Sequence, residues 1–354
     1  MEIRSLIRPN ILTLDRINGL SGNSSAPASI PLDKGESPFN RPQNRYPSPG
    51  MEAELVAALA DSLHLPPTCV ALAGGTDEAT DRLLRILCTP QRDNIVITVP
   101  SVESYDRLAA INDIECRHAH LDCGFSLPVD KVLGLTNQRT KAILLCSPNV
   151  PTGNLLSRDA ILKIASRFKG LVVVNEAYID YARTPSLADD VMQHHNLIVL
   201  RTFSKAFASA ALRLSYILAH PDIIRYLNLI RPSGTLPTHT LTEGLAILRR
   251  RFDIDKWTKW QLEEREKVIA SVKQLPICVK LYPTDANFFM VKVPDAPALL
   301  NYLTEQGIAA RNCSAQPQCD NCIAITIGLT IDNNALLGAL RKYCEKTTHA
   351  HTNP

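Results

Sequence analysis

The chain has 354 residues, 45% of them hydrophobic, which is enough to bury one large core or two smaller ones. Its 38 basic and 35 acidic residues are spread along the chain and leave a net charge of +3, which argues against a nucleic-acid partner. No apolar run approaches the roughly 20 residues that a membrane span needs, and the amino terminus lacks the layout of a secretory signal, so we expect a cytoplasmic protein.

The first part of the chain is predicted to be an arm. Residues 22–50 are rich in proline, serine, glycine and asparagine and show no hydrophobic periodicity, which is typical of an extended segment or loop. We therefore assign residues 1–45 to an N-terminal arm.

Residues 46–240 alternate short apolar strands with segments of helical length. Such alternation predicts an α/β fold with a mainly parallel central sheet covered by helices on both faces. The predicted helices are 51–64, 76–88 and 104–111, and the predicted strands are 69–73, 94–99, 141–146, 171–175, 196–201 and 214–219.

From residue 241 the pattern changes to long amphipathic helices followed by fewer strands. We interpret 241–346 as a linking helix and a small C-terminal α+β domain, and we expect the polar tail 347–354 to be disordered. The predicted elements of this part are helices 241–252, 255–275, 297–306 and 332–345 and strands 287–293 and 322–327.

The residues that follow the strands carry the most informative chemistry, because open parallel sheets bind ligands beyond the carboxyl ends of their strands. Gly74 and Gly75 let the backbone come close to a ligand, and Thr76 opens a helix whose free N–H groups can hold a phosphate. The same residues also suit an ordinary helix N-cap, so the loop by itself leaves both interpretations open.

A lysine follows the strand 196–201. Phe203 and Phe207 flank Lys205 and are expected to desolvate it in part, which favours a neutral, nucleophilic amine. A surface lysine whose stem lies along apolar neighbours is the alternative. The presence of Arg213, Tyr178 and the glycine loop at strand ends of the same sheet favours an active site.

Three stretches of sequence resemble a known family: "SPNVPTGN", "VVVNEAYIDY" and "RTFSKAFASAALRLSY". They are similar to the pyridoxal-phosphate-dependent aminotransferases of the aspartate aminotransferase fold (fold type I), and most of all to their histidinol-phosphate aminotransferase branch. The likeness extends from "RPNI" through "NRYP" to "NCIAITIG". It implies pyridoxal 5'-phosphate as cofactor, an amino donor and a 2-oxo acid as substrates, and a homodimer with a shared active site. The expected substrate pair is histidinol phosphate and 2-oxoglutarate, in histidine biosynthesis.

The resemblance also implies roles for single residues. Lys205 would hold the cofactor as a Schiff base and later move the proton, and Tyr178 would hydrogen-bond the phenolic oxygen of the cofactor ring. Arg311, in "IAARNC", matches an arginine that this branch uses near the substrate phosphate.

The cofactor phosphate would have its own set of ligands. By the resemblance, Gly75, Thr76, Ser204 and Arg213 would bind it, and Tyr46 of "NRYP" would reach it from the partner subunit.

Four positions depart from the family pattern. Asn175 stands where the family has an aspartate that keeps the ring nitrogen protonated, and loss of such a preorganised charge is expected to cost on the order of 10² to 10³ in rate. Val150 replaces an asparagine that bonds the phenolic oxygen, Val102 replaces the aromatic residue that stacks on the ring, and Ala324 replaces an arginine that grips the substrate anion.

These departures leave three hypotheses open. The chain is a working aminotransferase, a diverged pyridoxal-phosphate enzyme such as a decarboxylase or lyase, or a catalytically silent paralogue that keeps the fold. Cys313, Cys319 and Cys322 lie close together, but no second pair follows at the spacing of a zinc ribbon, so we predict no metal site.

Overall fold

A computed structural model describes residues 3–14, 32–41, 43–232 and 234–352. The described chain contains a seven-stranded sheet followed by a four-stranded sheet. No helix in these ranges is both long enough and apolar enough to cross a lipid bilayer.

The larger sheet is mainly parallel, as predicted. Its strands are β1 (Val70–Ala73), β2 (Asn94–Val99), β3 (Glu115–His120), β4 (Thr140–Cys146), β5 (Leu171–Asn175), β6 (Leu197–Thr202) and β7 (Ser215–Leu218). They are arranged in the order β1-β7-β6-β5-β4-β2-β3. Strand β7 is antiparallel to both of its neighbours, and the other strands pair in parallel.

Both faces of this sheet are buried, because its central strands are continuous apolar runs. In β5, Val172 and Val174 belong to one hydrophobic cluster, whereas Val173 belongs to a second cluster on the opposite face. The helices that accompany the sheet are α1 (Pro9–Leu12), α2 (Pro49–Ser62), α3 (Thr76–Leu87), α4 (Ser104–Ile111), α5 (Val129–Gly134), α6 (Arg158–Arg167), α7 (Pro221–Ile230) and α8 (Thr238–Leu248).

The C-terminal part of the chain has a hydrophobic core of its own. The long helix α9 (Arg251–Lys273) leads to an antiparallel sheet of four strands, in which the third and fourth strands in chain order pair with each other and the fourth also pairs with the second, which in turn pairs with the first. The elements of this part are β8 (Lys280–Leu281), β9 (Phe288–Lys292), α10 (Ala296–Glu305), β10 (Arg311–Asn312), β11 (Cys322–Thr326) and α11 (Thr330–Thr352). Phe289 and Ile323 of the sheet pack in one cluster with Val268 and Leu340 of the helices.

The sequence predictions differ from the structure mainly in polar or short elements. Strand β3, "ECRHAH", is a sheet-edge strand with largely exposed side chains, so it has no apolar signal to predict it. Helix α11 continues to Thr352, into the predicted disordered tail, because no glycine or proline lies between 339 and 353 to end it. Of the predicted arm, residues 1–2, 15–31 and 42 lie outside the described residues; the described part includes the short helix α1, and 32–45 contain neither helix nor strand where described.

Candidate active site

Most of the predicted site residues follow strands at one edge of the larger sheet, whereas Arg311 lies on the smaller sheet and Tyr46 lies before α2. Strands β1, β5 and β6 run in the same direction and end at Ala73, Asn175 and Thr202. Their carboxyl ends therefore share an edge, and the loops that leave them carry the glycine pair, Tyr178 and Lys205.

Arg213 lies against the glycine loop. A Cβ atom built on Gly75 would come within 2.7 Å of Nη2 of Arg213, so a side chain at this position would have to displace the guanidinium. Gly75 has φ +144°, a conformation that favours glycine, and Arg213 itself is left-handed with φ 49°. Thr76 begins α3 directly after the loop, so the first N–H groups of this helix point towards the same place.

Ser204 is fixed by a group of hydroxyls at the end of β6. Oγ1 of Thr202 accepts hydrogen bonds from the backbone N–H of Ser204 (3.1 Å) and from Oγ of Ser215 (2.9 Å). The Ser204 hydroxyl is 3.1 Å from the same oxygen. Strands β6 and β7 therefore position Ser204 on the segment that leads to Arg213.

Lys205 and Tyr178 are in contact. Nζ of Lys205 is 5.1 Å from the centroid of the Tyr178 ring, within the range of a cation–π contact. Phe203 and Phe207 are buried on either side of the lysine, as expected, whereas Lys205 itself is half-buried.

The smaller sheet also contributes to this pocket. The ring of Phe288, at the start of β9, meets Tyr178 edge-on, with centroids 5.1 Å apart and an interplanar angle of 78°. The sequence does not single out this residue, since "NFFMVKV" has the pattern of an ordinary core strand.

Asn175 is buried at the end of β5. Its Oδ1 accepts a hydrogen bond from the backbone N–H of Ala177 at 3.1 Å, which orients the amide. The hydroxyl of Tyr105 lies beside it, and within the described residues this hydroxyl has no hydrogen bond of normal geometry. Burial raises the pKa of Tyr105 well above its usual value, and the nearby Cys146 thiol adds to this. An uncharged phenol, and no cation, therefore lies beside Asn175 among the contacts described for it.

Asn149 does not take the place of the asparagine missing at Val150. It is fully buried, and its Nδ2 donates to the carbonyl oxygen of Pro100 (3.0 Å) and to Oγ1 of Thr152 (2.8 Å). Its Oδ1 accepts from Oγ of Ser101 at 3.3 Å. These bonds tie the loops after β2 and β4 together and occupy the side chain.

Arg311 is engaged with an acidic side chain. Its Nη2 is 2.7 Å from Oε1 of Glu103, and this hydrogen-bonded contact lowers the pKa of Glu103. In the strand pairing Arg311 lies opposite Ala324, the position at which the family arginine is missing. The sequence did not predict Glu103 as a partner.

Tyr46 lies on the surface of the chain. Its side chain is 63% exposed, and its ring edge is 3.6 Å from the position of a Cβ atom on Gly234. The backbone N–H of Tyr46 donates to Oε1 of Glu36 at 2.7 Å, which holds this segment in place.

The three clustered cysteines are buried in an apolar core. Burial raises the pKa of Cys313 to about 11 and that of Cys319 to about 12. Both thiols are therefore protonated near neutral pH.

Known proteins are similar to this chain in sequence and in fold. The model of the family described as "Aminotransferase class I and II" matches residues 37–338. The chain is 40% identical over 342 residues to a histidinol-phosphate aminotransferase of Bacteroides thetaiotaomicron, which covers 96% of this chain and 99% of that protein.

Solved structures share the fold. The histidinol-phosphate aminotransferase from Clostridium acetobutylicum has a TM-score of 0.79 at 18% identity, covering 86% of this chain and 92% of its own. The enzyme of the same name from Sinorhizobium meliloti, in complex with pyridoxal-5'-phosphate, has a TM-score of 0.77 at 19% identity, covering 96% and 88%.

Proposed function

The chain belongs to the class I and II aminotransferases, and on this premise we propose that it transfers the amino group of histidinol phosphate to 2-oxoglutarate. Pyridoxal 5'-phosphate is its cofactor. The observation that carries the proposal is the 40% identity to a histidinol-phosphate aminotransferase over nearly the whole chain. The contact of Lys205 with Tyr178 beside the Arg213–glycine loop supports it.

The residues present suit the cofactor's phosphate. A helix N-terminus, a guanidinium and a hydroxyl are the donors that phosphate prefers. Because Gly75 has no side chain, its backbone can face the phosphate next to Arg213. We assign the phosphate to Gly75, Thr76, Ser204 and Arg213. Tyr46 of a partner subunit would complete this set in a homodimer, and its exposure on its own subunit supports that role.

The reaction needs a movable proton and an orienting donor. When bound, pyridoxal phosphate supplies the electron sink for cleavage of a bond at the substrate's α-carbon. Lys205 would attach the cofactor through Nζ and, once released by the substrate amine, carry the proton with the same nitrogen. The Tyr178 hydroxyl would donate to the phenolic oxygen of the ring.

Asn175 would face the ring nitrogen. Because its Oδ1 is engaged by Ala177, the amide presents Nδ2, a hydrogen-bond donor without charge. A donor at this point does not favour a protonated ring nitrogen, so we expect slower turnover than the family's aspartate would give.

Substrate recognition would rest on Arg311. Ala324 offers no charge, so Arg311 is the cation that this strand pair can present to the substrate phosphate. We assign residues 46–240 to a cofactor-binding domain and 241–346 to a linking helix and small domain, with the site between them, in a cytoplasmic protein.

The test is a coupled assay of purified, cofactor-loaded protein. Histidinol phosphate with 2-oxoglutarate should yield glutamate, and Lys205→Ala should lose both this activity and the yellow colour of the bound cofactor. No glutamate here, together with release of CO₂ when an α-amino acid is supplied instead of histidinol phosphate, would favour a decarboxylase. Protein that takes up no cofactor would support the silent paralogue.

A further inference from the structure

An ion pair joins the two sheets beside the proposed site. Glu103 lies in the loop between β2 and α4, and Arg311 lies on β10 of the smaller sheet. Nη2 of Arg311 is 2.7 Å from Oε1 of Glu103, and Nε2 of Gln316 is 3.4 Å from the same oxygen. Arg311 is thus occupied by a carboxylate of its own chain.

The position of Glu103 is fixed on both sides by bonds to site loops. Oγ of Ser104, its neighbour, donates to Oδ1 of Asp77 at 2.8 Å, and Asp77 follows Thr76 in the first turn of α3. On the other side, Ser101 donates to Asn149 in the loop after β4. The Glu103–Arg311 pair therefore lies next to the proposed phosphate loop and not on a remote surface.

The charge at this place is balanced rather than positive. Ala324, opposite Arg311 in the strand pairing, brings no cation, and Glu103 neutralises Arg311. The side chains of Arg311 and Glu103 are 43% and 60% exposed, so the pair is solvated and weak and can exchange its partners.

We propose that Glu103 is a specificity-determining residue, which holds Arg311 so that an anionic substrate group binds only by displacing the Glu103 carboxylate. This inference rests on the proposed function, because it takes the substrate to carry a phosphate that uses Arg311. Each phosphorylated ligand has to replace an existing ion pair, whereas an amine without an anionic end group does not.

Two measurements on the cofactor-loaded protein test this. In Glu103→Gln, the KM for histidinol phosphate should fall about 2- to 5-fold with kcat unchanged, as expected for removal of a competing surface ion pair. The KM for histidinol, which has no phosphate, should stay the same. The Kd of inorganic phosphate, measured by calorimetry with the cofactor already bound, should fall by the same factor. This second measurement does not depend on turnover.

The double variant separates two ways in which Glu103 could act. Arg311→Gln should weaken phosphate binding. If Glu103 acts through Arg311, adding Glu103→Gln to that variant should change the Kd by less than about twofold. A larger gain would mean direct repulsion of phosphate by Glu103 and would overturn the proposal.

A matched control is Glu115→Gln, which breaks the 2.7 Å pair of Glu115 with Arg117 on the edge strand β3. It should change neither the KM for histidinol phosphate nor the Kd of inorganic phosphate. An unchanged Kd in Glu103→Gln, or no binding of phosphate to that variant, contradicts the proposal. A wild-type protein that binds phosphate but does not transaminate would refute the proposed reaction alone, and the calorimetric comparison would still decide the role of Glu103.

Discussion

The guanidinium of Arg213 occupies the place where a side chain on Gly75 would begin, with Nη2 2.7 Å from that Cβ position. Gly75 is the second residue after β1 and Arg213 the second residue before the antiparallel strand β7, and Ala73 at the end of β1 pairs with Ser215 at the start of β7. The pairing of these two strands therefore builds the loop that we assign to the cofactor phosphate.

Gly75→Ala should weaken cofactor binding by about tenfold or more. The new methyl group would displace Arg213, and the φ of +144° adds a backbone strain of roughly 1 to 3 kcal/mol. Titration with pyridoxal phosphate, followed by visible absorbance, measures the loss. Gly134→Ala, at a glycine with open space around its Cβ position, should leave the titration unchanged.

Asn175→Asp should raise kcat by on the order of 10², because it restores a charge facing the ring nitrogen. Without cofactor, the same carboxylate would be buried with no cation beside it among the contacts described for Asn175, so the apoprotein should be less stable than wild type. Steady-state kinetics and thermal unfolding with and without cofactor measure both effects. A variant with wild-type kcat would mean that the site works without this charge.

Arg201→Met should lower the free energy of unfolding by about 3 to 5 kcal/mol, because it removes the buried cation that lies beside two buried carboxylates. Arg201 and Asp180 are both nearly inaccessible and are paired at 2.7 Å. Glu176 is also buried, and Arg201 is the main group that opposes the rise of its pKa caused by burial.

Urea unfolding provides the measurement. The exposed pair of Arg167 with Asp130 offers a control, since Arg167→Met should cost less than about 1 kcal/mol. Equal effects of the two substitutions would contradict the structural role of Arg201, which is to support the loop that carries Asn175 and Tyr178.

Cys123 should react with thiol reagents at pH 8 well before the buried cysteines. It is exposed, whereas burial raises the pKa of Cys146 and of Cys319 to about 12. The thiolate is the reactive form, so labelling of the buried cysteines in the folded protein should increase as the pH rises towards those values. Mass spectrometry of labelled peptides measures the order, and Cys123→Ser should remove the fast phase.

The sequence predicted the central strands well because each is a continuous apolar run bounded by loops. Strand β5 was predicted with the bounds that the structure has, Leu171–Asn175. The sequence is much less informative for the polar edge strand β3 and for the two-residue strands β8 and β10. These strands owe their pairing to neighbouring strands rather than to their own composition.

Their positions after strands make Lys205, Tyr178 and Arg213 candidates, since chemistry in parallel sheets collects there, and the resemblance to the family adds Asn175. The sequence could not reveal Phe288 against Tyr178, Tyr105 beside Asn175, or Glu103 on Arg311. Each of these contacts joins segments far apart in the chain.

The order of strands and helices, the fold class and the family motifs were thus determined by local patterns of apolar, glycine and charged residues. The surroundings of those motifs were decided only by the tertiary structure. The physical reason is that burial and electrostatic pairing depend on the side chains that packing brings to within a few ångströms of one another. Arg311 is an example, because its positive charge is a property of the residue whereas its counter-ion Glu103 is supplied by the fold.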